Sequence, residues 1–77
     1  MTKIILPELG EGITKAVVSY WYFQAGQDVK KGEDLVEFTT DKATFNLPSP
    51  VSGKLTEILA PEGQNVNVGQ AIGSMEE

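Results

Sequence analysis

Cysteine, histidine and arginine are all missing from this 77-residue chain. Without cysteine there is no disulfide to staple a small core, no thiol nucleophile and no soft metal ligand. Without histidine the side chain best suited to general-base work near neutral pH is gone. No nucleophile–base pair can be assembled from the rest, so the sequence offers no catalytic centre and an enzyme in its own right is the least favoured reading. Six lysines face eleven acids, a formal net charge of −5. That balance argues against nucleic acid and anionic membranes as partners. No apolar run is long enough to span a bilayer, and no signal peptide is visible. Acids near Gly26 and Gly32 lack the spacing of a calcium loop, and no phosphate-loop glycine pattern occurs, so no metal site is expected. These features point to a soluble, intracellular domain. Helical periodicity is also missing: no segment holds it for three turns, and Pro7, Pro48, Pro50 and Pro61 interrupt the chain.

What the chain does have is a repeat. Gly26-Gln27-Asp28-Val29-Lys30-Lys31-Gly32-Glu33-Asp34-Leu35 returns as Gly63-Gln64-Asn65-Val66-Asn67-Val68-Gly69-Gln70-Ala71-Ile72, 37 residues on. The same offset aligns Val18 with Leu55, Ser19 with Thr56 and Trp21 with Ile58. Two copies are too few for a solenoid, so two similar halves closing on each other is the economical reading. Each half reads as strand, turn, strand. Residues 17–23 are rich in β-branched and aromatic side chains, and 54–59 are their counterpart. The length allows one domain over residues 1–77 and not two. The expected fold is all-β: a flattened barrel or sandwich of two antiparallel sheets with an internal pseudo-two-fold axis. Val18, Trp21, Phe23, Phe38, Phe45, Leu55 and Ile58 are the expected core. The strand Tyr20-Trp21-Tyr22-Phe23 is apolar on both faces, so its inward set is open, with Tyr20 and Tyr22 as the candidates for the outside. If the halves are two-fold related, Met1 and Glu77 should lie close together and away from Lys42.

Residues 36–47 place one lysine specially. Folded as a hairpin with Asp41-Lys42 at the tip, Phe38 faces Phe45 and Val36 faces Leu47 on one side. Thr39 faces Thr44 and Glu37 faces Asn46 on the other. One face is apolar and the other polar, as a half-buried antiparallel pair requires. A one-residue slip would expose half of the apolar face. Asp-Lys is not favoured in a two-residue hairpin loop, though a type I turn accepts it at some cost in strand twist. The plain alternative is a solvated lysine at a loop tip.

At this point the residues resemble a family. Thr40-Asp41-Lys42-Ala43 is similar to the Asp-Lys-Ala signature of lipoyl domains, with the lysine between two matching halves. Leu6-Pro7-Glu8-Leu9-Gly10-Glu11-Gly12 resembles the start of the acyltransferase component of 2-oxo acid dehydrogenases. Ser49-Pro50-Val51-Ser52-Gly53-Lys54 resembles the segment after the lysine hairpin, and Glu62 to Gly69 completes the pattern. The resemblance covers essentially the whole chain. It implies a covalent lipoate in amide linkage to Lys42, attached by a lipoate ligase or lipoyl transferase. That linkage would take the formal charge from −5 to −6. It further implies three partners: a thiamine diphosphate-dependent decarboxylating component that acylates the arm, an acyltransferase core that passes the acyl group to coenzyme A, and a dihydrolipoamide dehydrogenase that reoxidises the dithiol. The compartment would be the cytoplasm of a bacterium or the mitochondrial matrix of a eukaryote. The start at Met1 and the lack of a catalytic domain lead us to expect the amino-terminal domain of a longer acyltransferase.

Around Lys42 the resemblance assigns recognition roles to Thr40, Asp41 and Ala43, read by the modifying enzyme. Gly10, Glu11 and Gly12 belong to a loop, Glu8 to Ile13, that in this family lies beside the lysine and helps the decarboxylating component know its carrier. The alternative for that loop is a plain connector. Other functions were weighed. A biotin carrier shares the tip lysine but typically flanks it with methionines, where this chain has Asp41 and Ala43. An unmodified hybrid-barrel interaction domain keeps the repeat but lacks the lysine motif. The glycine-cleavage carrier is also lipoylated but is normally a longer protein.

Overall fold

Residues 15–21 show how local sequence becomes sheet. In a computed structural model that describes residues 2–77, β2 (Lys15–Trp21) buries Ala16, Val18 and Trp21 and turns Val17 and Tyr20 outward. Val18 and Trp21 are an odd number of positions apart, so a regular strand would put them on opposite faces. A β-bulge between Val18 and Tyr20 inserts Ser19 and resets the phase. This settles the ambiguous aromatic strand: Tyr20 and Tyr22 lie outside, their rings edge to face at 5.0 Å, and Trp21 lies inside. The Trp21 indole donates to the Ala60 carbonyl at 2.8 Å, which satisfies its N–H in the core.

The other strands are β1 (Thr2–Ile5), β3 (Asp28–Val29), β4 (Asp34–Thr39), β5 (Thr44–Pro48), β6 (Gly53–Ile58), β7 (Asn65–Asn67) and β8 (Ala71–Glu76). They form two four-stranded antiparallel sheets, ordered β1-β8-β6-β3 and β5-β4-β2-β7. No helix occurs among the described residues. The second order is the first carried over by the repeat: β4 takes the place of β8, β2 of β6 and β7 of β3. Even the irregularities obey the offset. The bulge at Ser19 in β2 returns at Thr56 in β6, and the one at Leu35 in β4 returns at Ile72 opposite β1. The repeat glycines Gly26, Gly32, Gly63 and Gly69 share φ values of 97°, 91°, 91° and 90°. Gly26 N–H donates to the Leu55 carbonyl, and Gly63 N–H donates to that of Val18. Each half thus hangs its turn on the other half's strand.

The two inner faces enclose one core. Phe38, Leu35, Val36, Val18, Leu55, Ile72, Met75, Ile4 and Leu6 are all essentially buried. Phe23 and Ile58 are only half-buried and pack on the rim of that core, short of the full burial expected for them. Phe45 departs further: it is half-buried and stands outside the core cluster. The reason is its strand. β5 is the edge of its sheet, with a neighbour on one side only.

Met1 lies outside the described residues, so its expected place beside Glu77 is not seen. Its neighbour Thr2 pairs with Met75, and the Thr2 hydroxyl donates to Glu77 Oε1 at 2.8 Å. In the repeat's register, residues 76–77 correspond to 39–40. The chain ends therefore occupy the counterpart of the lysine hairpin and not its neighbourhood.

Candidate functional site

The β4–β5 hairpin has the register that its apolar pattern demands. Val36 pairs with Leu47, Glu37 with Asn46, Phe38 with Phe45 and Thr39 with Thr44. Phe38 anchors the inner face in the core, so the strand cannot slide without losing that burial. What projects beyond Thr39 and Thr44 is the four-residue turn Thr40-Asp41-Lys42-Ala43, whose last three residues are exposed. No residue other than glycine has positive φ among the described residues, so Asp41 and Lys42 do not adopt the primed turns that hairpins prefer.

Thr40 holds this less favoured turn. Its backbone N–H and its hydroxyl both donate to the Ala43 carbonyl at 2.8 Å. The same hydroxyl oxygen accepts the N–H of Ala43 at 3.0 Å and of Lys42 at 3.2 Å. A side chain thereby closes the loop where the strand ladder leaves off. Replacing Thr40 with valine removes the hydroxyl's three bonds at constant shape and keeps the backbone one. The expected loss is about 1 kcal/mol, with faster amide exchange at Lys42 and Ala43, while Thr40→Ser keeps both near the parent. Equal exchange in the two variants would show that the hydroxyl does not order the tip.

The second part of the site is the loop between β1 and β2. Gly10 to Ile13 closes a turn, with the Ile13 N–H donating to the Gly10 carbonyl at 3.2 Å. Gly12 is its third residue and has φ 81°, the left-handed value that a type II turn requires there. A β-carbon on Gly12 would stand 3.3 Å from the Lys42 Nζ, so the lysine amine lies against this turn. Thr40, Asp41, Lys42 and Ala43 are thus brought together with Gly12, and Glu11 is exposed on the same turn. Gly10 contributes the carbonyl that closes it.

Beside the lysine is a cavity of about 360 Å³, entered between this loop and the hairpin. Ile13, Ala16, Val17 and Asn65 line it together with Thr40 and Asp41. The loop Glu8 to Ile13 expected from the sequence supplies Gly12 and Ile13 to this cavity, whereas Val17 and Asn65 were not foreseen. A signal for them was available. Nine residues separate Leu6 from Ala16, whereas three separate their repeat counterparts Ser49 and Gly53. The loop beside Lys42 is the place where the two halves disagree most.

Chemically, the site presents one primary amine on an anchored tip, with no histidine or cysteine anywhere in the chain. Among the described residues no group of three acids is placed to hold a metal ion. Such a site can be modified and presented to other proteins.

Comparison with known proteins agrees with this geometry. The biotin/lipoyl family model, described as "biotin-requiring enzyme", matches residues 2–75. A succinyltransferase component of the 2-oxoglutarate dehydrogenase complex from Bartonella vinsonii is 48% identical over 75 residues, covering 97% of this chain and 18% of that protein. An acetyltransferase component of the pyruvate dehydrogenase complex from Corynebacterium glutamicum is 42% identical over 71 residues, covering 92% of this chain and 10% of that one. This chain therefore spans under a fifth of either relative. Among solved structures, the lipoyl domain of the 2-oxoglutarate dehydrogenase complex from Azotobacter vinelandii matches with a TM-score of 0.81 and 30% identity, covering 100% of this chain and 98% of that domain. A single-chain long-chain acyl-CoA carboxylase shares the fold, with a TM-score of 0.74 at 21% identity over 92% of this chain and 7% of the carboxylase. The chain belongs to the biotin/lipoyl family and, within it, is a lipoyl domain of the kind found in acyltransferase components of 2-oxo acid dehydrogenase complexes.

Proposed function

We propose that Lys42 carries lipoate in amide linkage and that the domain moves an acyl group between the active sites of a 2-oxo acid dehydrogenase complex. The observation that supports this most is the exposed Lys42 amine on a turn fixed from both sides, by the Phe38 anchor below and the Thr40 hydroxyl at the tip. When bound, the cofactor supplies a disulfide that accepts an acyl group and two electrons. The chain's own residues hold its point of attachment. A stiff tip offers the modifying enzyme one orientation of the amine, with Thr40, Asp41 and Ala43 as the side chains it meets around it. Gly12 leaves room for the lysine amine, and Gly10, Glu11 and Gly12 form a surface beside it for a decarboxylating partner to read. Tethering keeps the arm at high effective concentration near each site.

The partners are those expected from the sequence: a lipoate ligase or lipoyl transferase, a thiamine diphosphate-dependent decarboxylating component, an acyltransferase core and a dihydrolipoamide dehydrogenase. The relatives named above are components of such complexes, which supports this set. They are also far longer than 77 residues, which supports residues 1–77 as one carrier domain of a longer acyltransferase. Those relatives are bacterial, which favours the cytoplasm over the mitochondrial matrix. Biotin is the rival cofactor within the family, and Asp41 and Ala43 in place of flanking methionines speak against it.

The test is to incubate the domain with a lipoate ligase and, separately, with a biotin ligase, and to measure intact and peptide masses. The expected result is a gain with lipoate alone, localised to Lys42. A gain with biotin alone, or none from either enzyme on a folded sample, overturns the reading.

A further inference from the structure

The pseudo-two-fold axis supplies an internal control for the lysine end of the molecule. At the other end, around the chain termini, the symmetry mate of the cavity beside Lys42 is smaller, about 210 Å³. Its walls are charged. The repeat puts Lys54 where the lysine end has Val17, Asp28 where it has Asn65 and Glu76 where it has Thr39. Fold requirements alone act on both ends alike, because strands, bulges and turns match across the axis. The lysine end nonetheless has apolar or neutral residues at these three charged positions, with Lys15 and Asp41 as the charges left on its wall, and adds six residues of loop, which bring Ile13 to the cavity wall. Val17 is 36% exposed, on the surface of a domain of net charge −5.

We propose that this cavity is a seat for the free end of the arm on Lys42, where the dithiolane rests against Ile13 and Val17 between visits to partner enzymes. The inference rests on the lipoate reading above. Three observations carry it. The arm starts beside the cavity, since the Lys42 Nζ lies against Gly12 and Gly12 is part of the cavity lining. Folding back therefore needs only rotations about single bonds. The volume of about 360 Å³ lies within the range of small-molecule sites, with room for a five-membered ring and several methylenes. The apolar patch of Ile13 and Val17, on a wall that also carries Lys15 and Asp41, is matched to an apolar ring, whereas the mate at the other end is walled mainly by charge. The seat must be shallow, because an arm held firmly could not be handed on. The cavity is open, and its walls belong to the loop, the hairpin turn and the ends of β2, β4 and β7, which suits a resting contact in exchange with the extended arm.

The experiment compares the domain loaded by a lipoate ligase with the unloaded domain, after peptide mass has shown the modification at Lys42. Nuclear Overhauser contacts are expected from dithiolane protons to the Val17 and Ile13 methyl groups. Amide shift changes are expected at Gly12, Val17 and Asn65, and none around Gly53 at the mate cavity. The variant Val17→Lys copies Lys54 from the same place in the other half, so the strand accommodates it. Its dithiolane is expected to be reduced by a neutral water-soluble phosphine about three to ten times faster than the parent's, because the arm spends more time in solvent. Loading at Lys42 without those contacts, and with equal reduction rates, overturns the seat and leaves the carrier function standing. Failure to load at all overturns the carrier reading, and the seat with it.

Discussion

Exchange of Lys42 for arginine abolishes the mass gain from lipoate completely, with no transfer of the modification to another lysine. Amide formation needs an amine that can lose its proton and attack an activated acyl group. A guanidinium stays protonated and cannot do so. Arginine keeps the positive charge and a long flexible stem, and the bonds that shape the turn belong to the backbone and to Thr40. The fold should therefore be unchanged, with stability within about 0.5 kcal/mol of the parent. The other five lysines are not substitutes. Lys3, Lys15 and Lys54 lie along strands, and Lys30 and Lys31 lie in the connection from β3 to β4. None stands at a hairpin tip beside a glycine turn. Intact and peptide mass after ligase treatment, with a melting curve on the same sample, reads both halves of this expectation. A gain that persists in Lys42→Arg moves the attachment point and removes the basis of the proposed function.

Much of this site could be read from the sequence because side-chain period ties register to burial. Phe38 and Val36 had to face Phe45 and Leu47, and that fixed Lys42 at the tip before any coordinates. The repeat likewise foretold two matching sheets. Four things were hidden. A bulge adds one residue to a strand and leaves no reliable mark, so the inward face of Tyr20 to Phe23 stayed open until the inserted Ser19 was seen. The core positions of Ile4 and Leu6 were hidden because the two-fold is closed by the chain ends. β1 fills the place in its sheet that β5 fills in the other, although in chain order the counterpart of β5 would fall beyond Glu77. The burial of Phe45 was overestimated because an alternating pattern cannot tell an edge strand from a central one. The seat beside Lys42 was hidden for a related reason: the stretch 12–17 and Asn65 of β7 are far apart in the chain, and only the closed barrel brings them together with the hairpin.

That edge placement sets two paired phenylalanines apart in stability. Phe38→Ala is expected to cost about 3–5 kcal/mol, the usual range for emptying a phenylalanine site in a core. Phe38 is completely buried in β4, with β5 on one side and β2 on the other. It pairs with Phe45 and Val18, so no neighbour can collapse into the space without breaking a ladder. A domain of this length has a total stability of about 4–12 kcal/mol by the usual per-residue range, so the loss is a large share of the whole. Phe45→Ala, in the partner position but half-buried on the edge and outside the core cluster, should cost about half as much, because part of its surface stays in water and the space it leaves is open to solvent. Urea unfolding of both variants gives the comparison directly. Equal losses would place Phe45 in the core after all. The same substitution should reach the chemistry. β4 leads straight into Thr40, and a strand that no longer anchors the hairpin offers the ligase a moving amine. Lipoate loading of Phe38→Ala at a temperature where it is still mostly folded should slow by more than its unfolded fraction explains, whereas Phe45→Ala should load at close to the parent rate. If both variants load in proportion to their folded fraction, the anchor stabilises the domain without stiffening the tip, and the orientation of Lys42 is set by the turn alone.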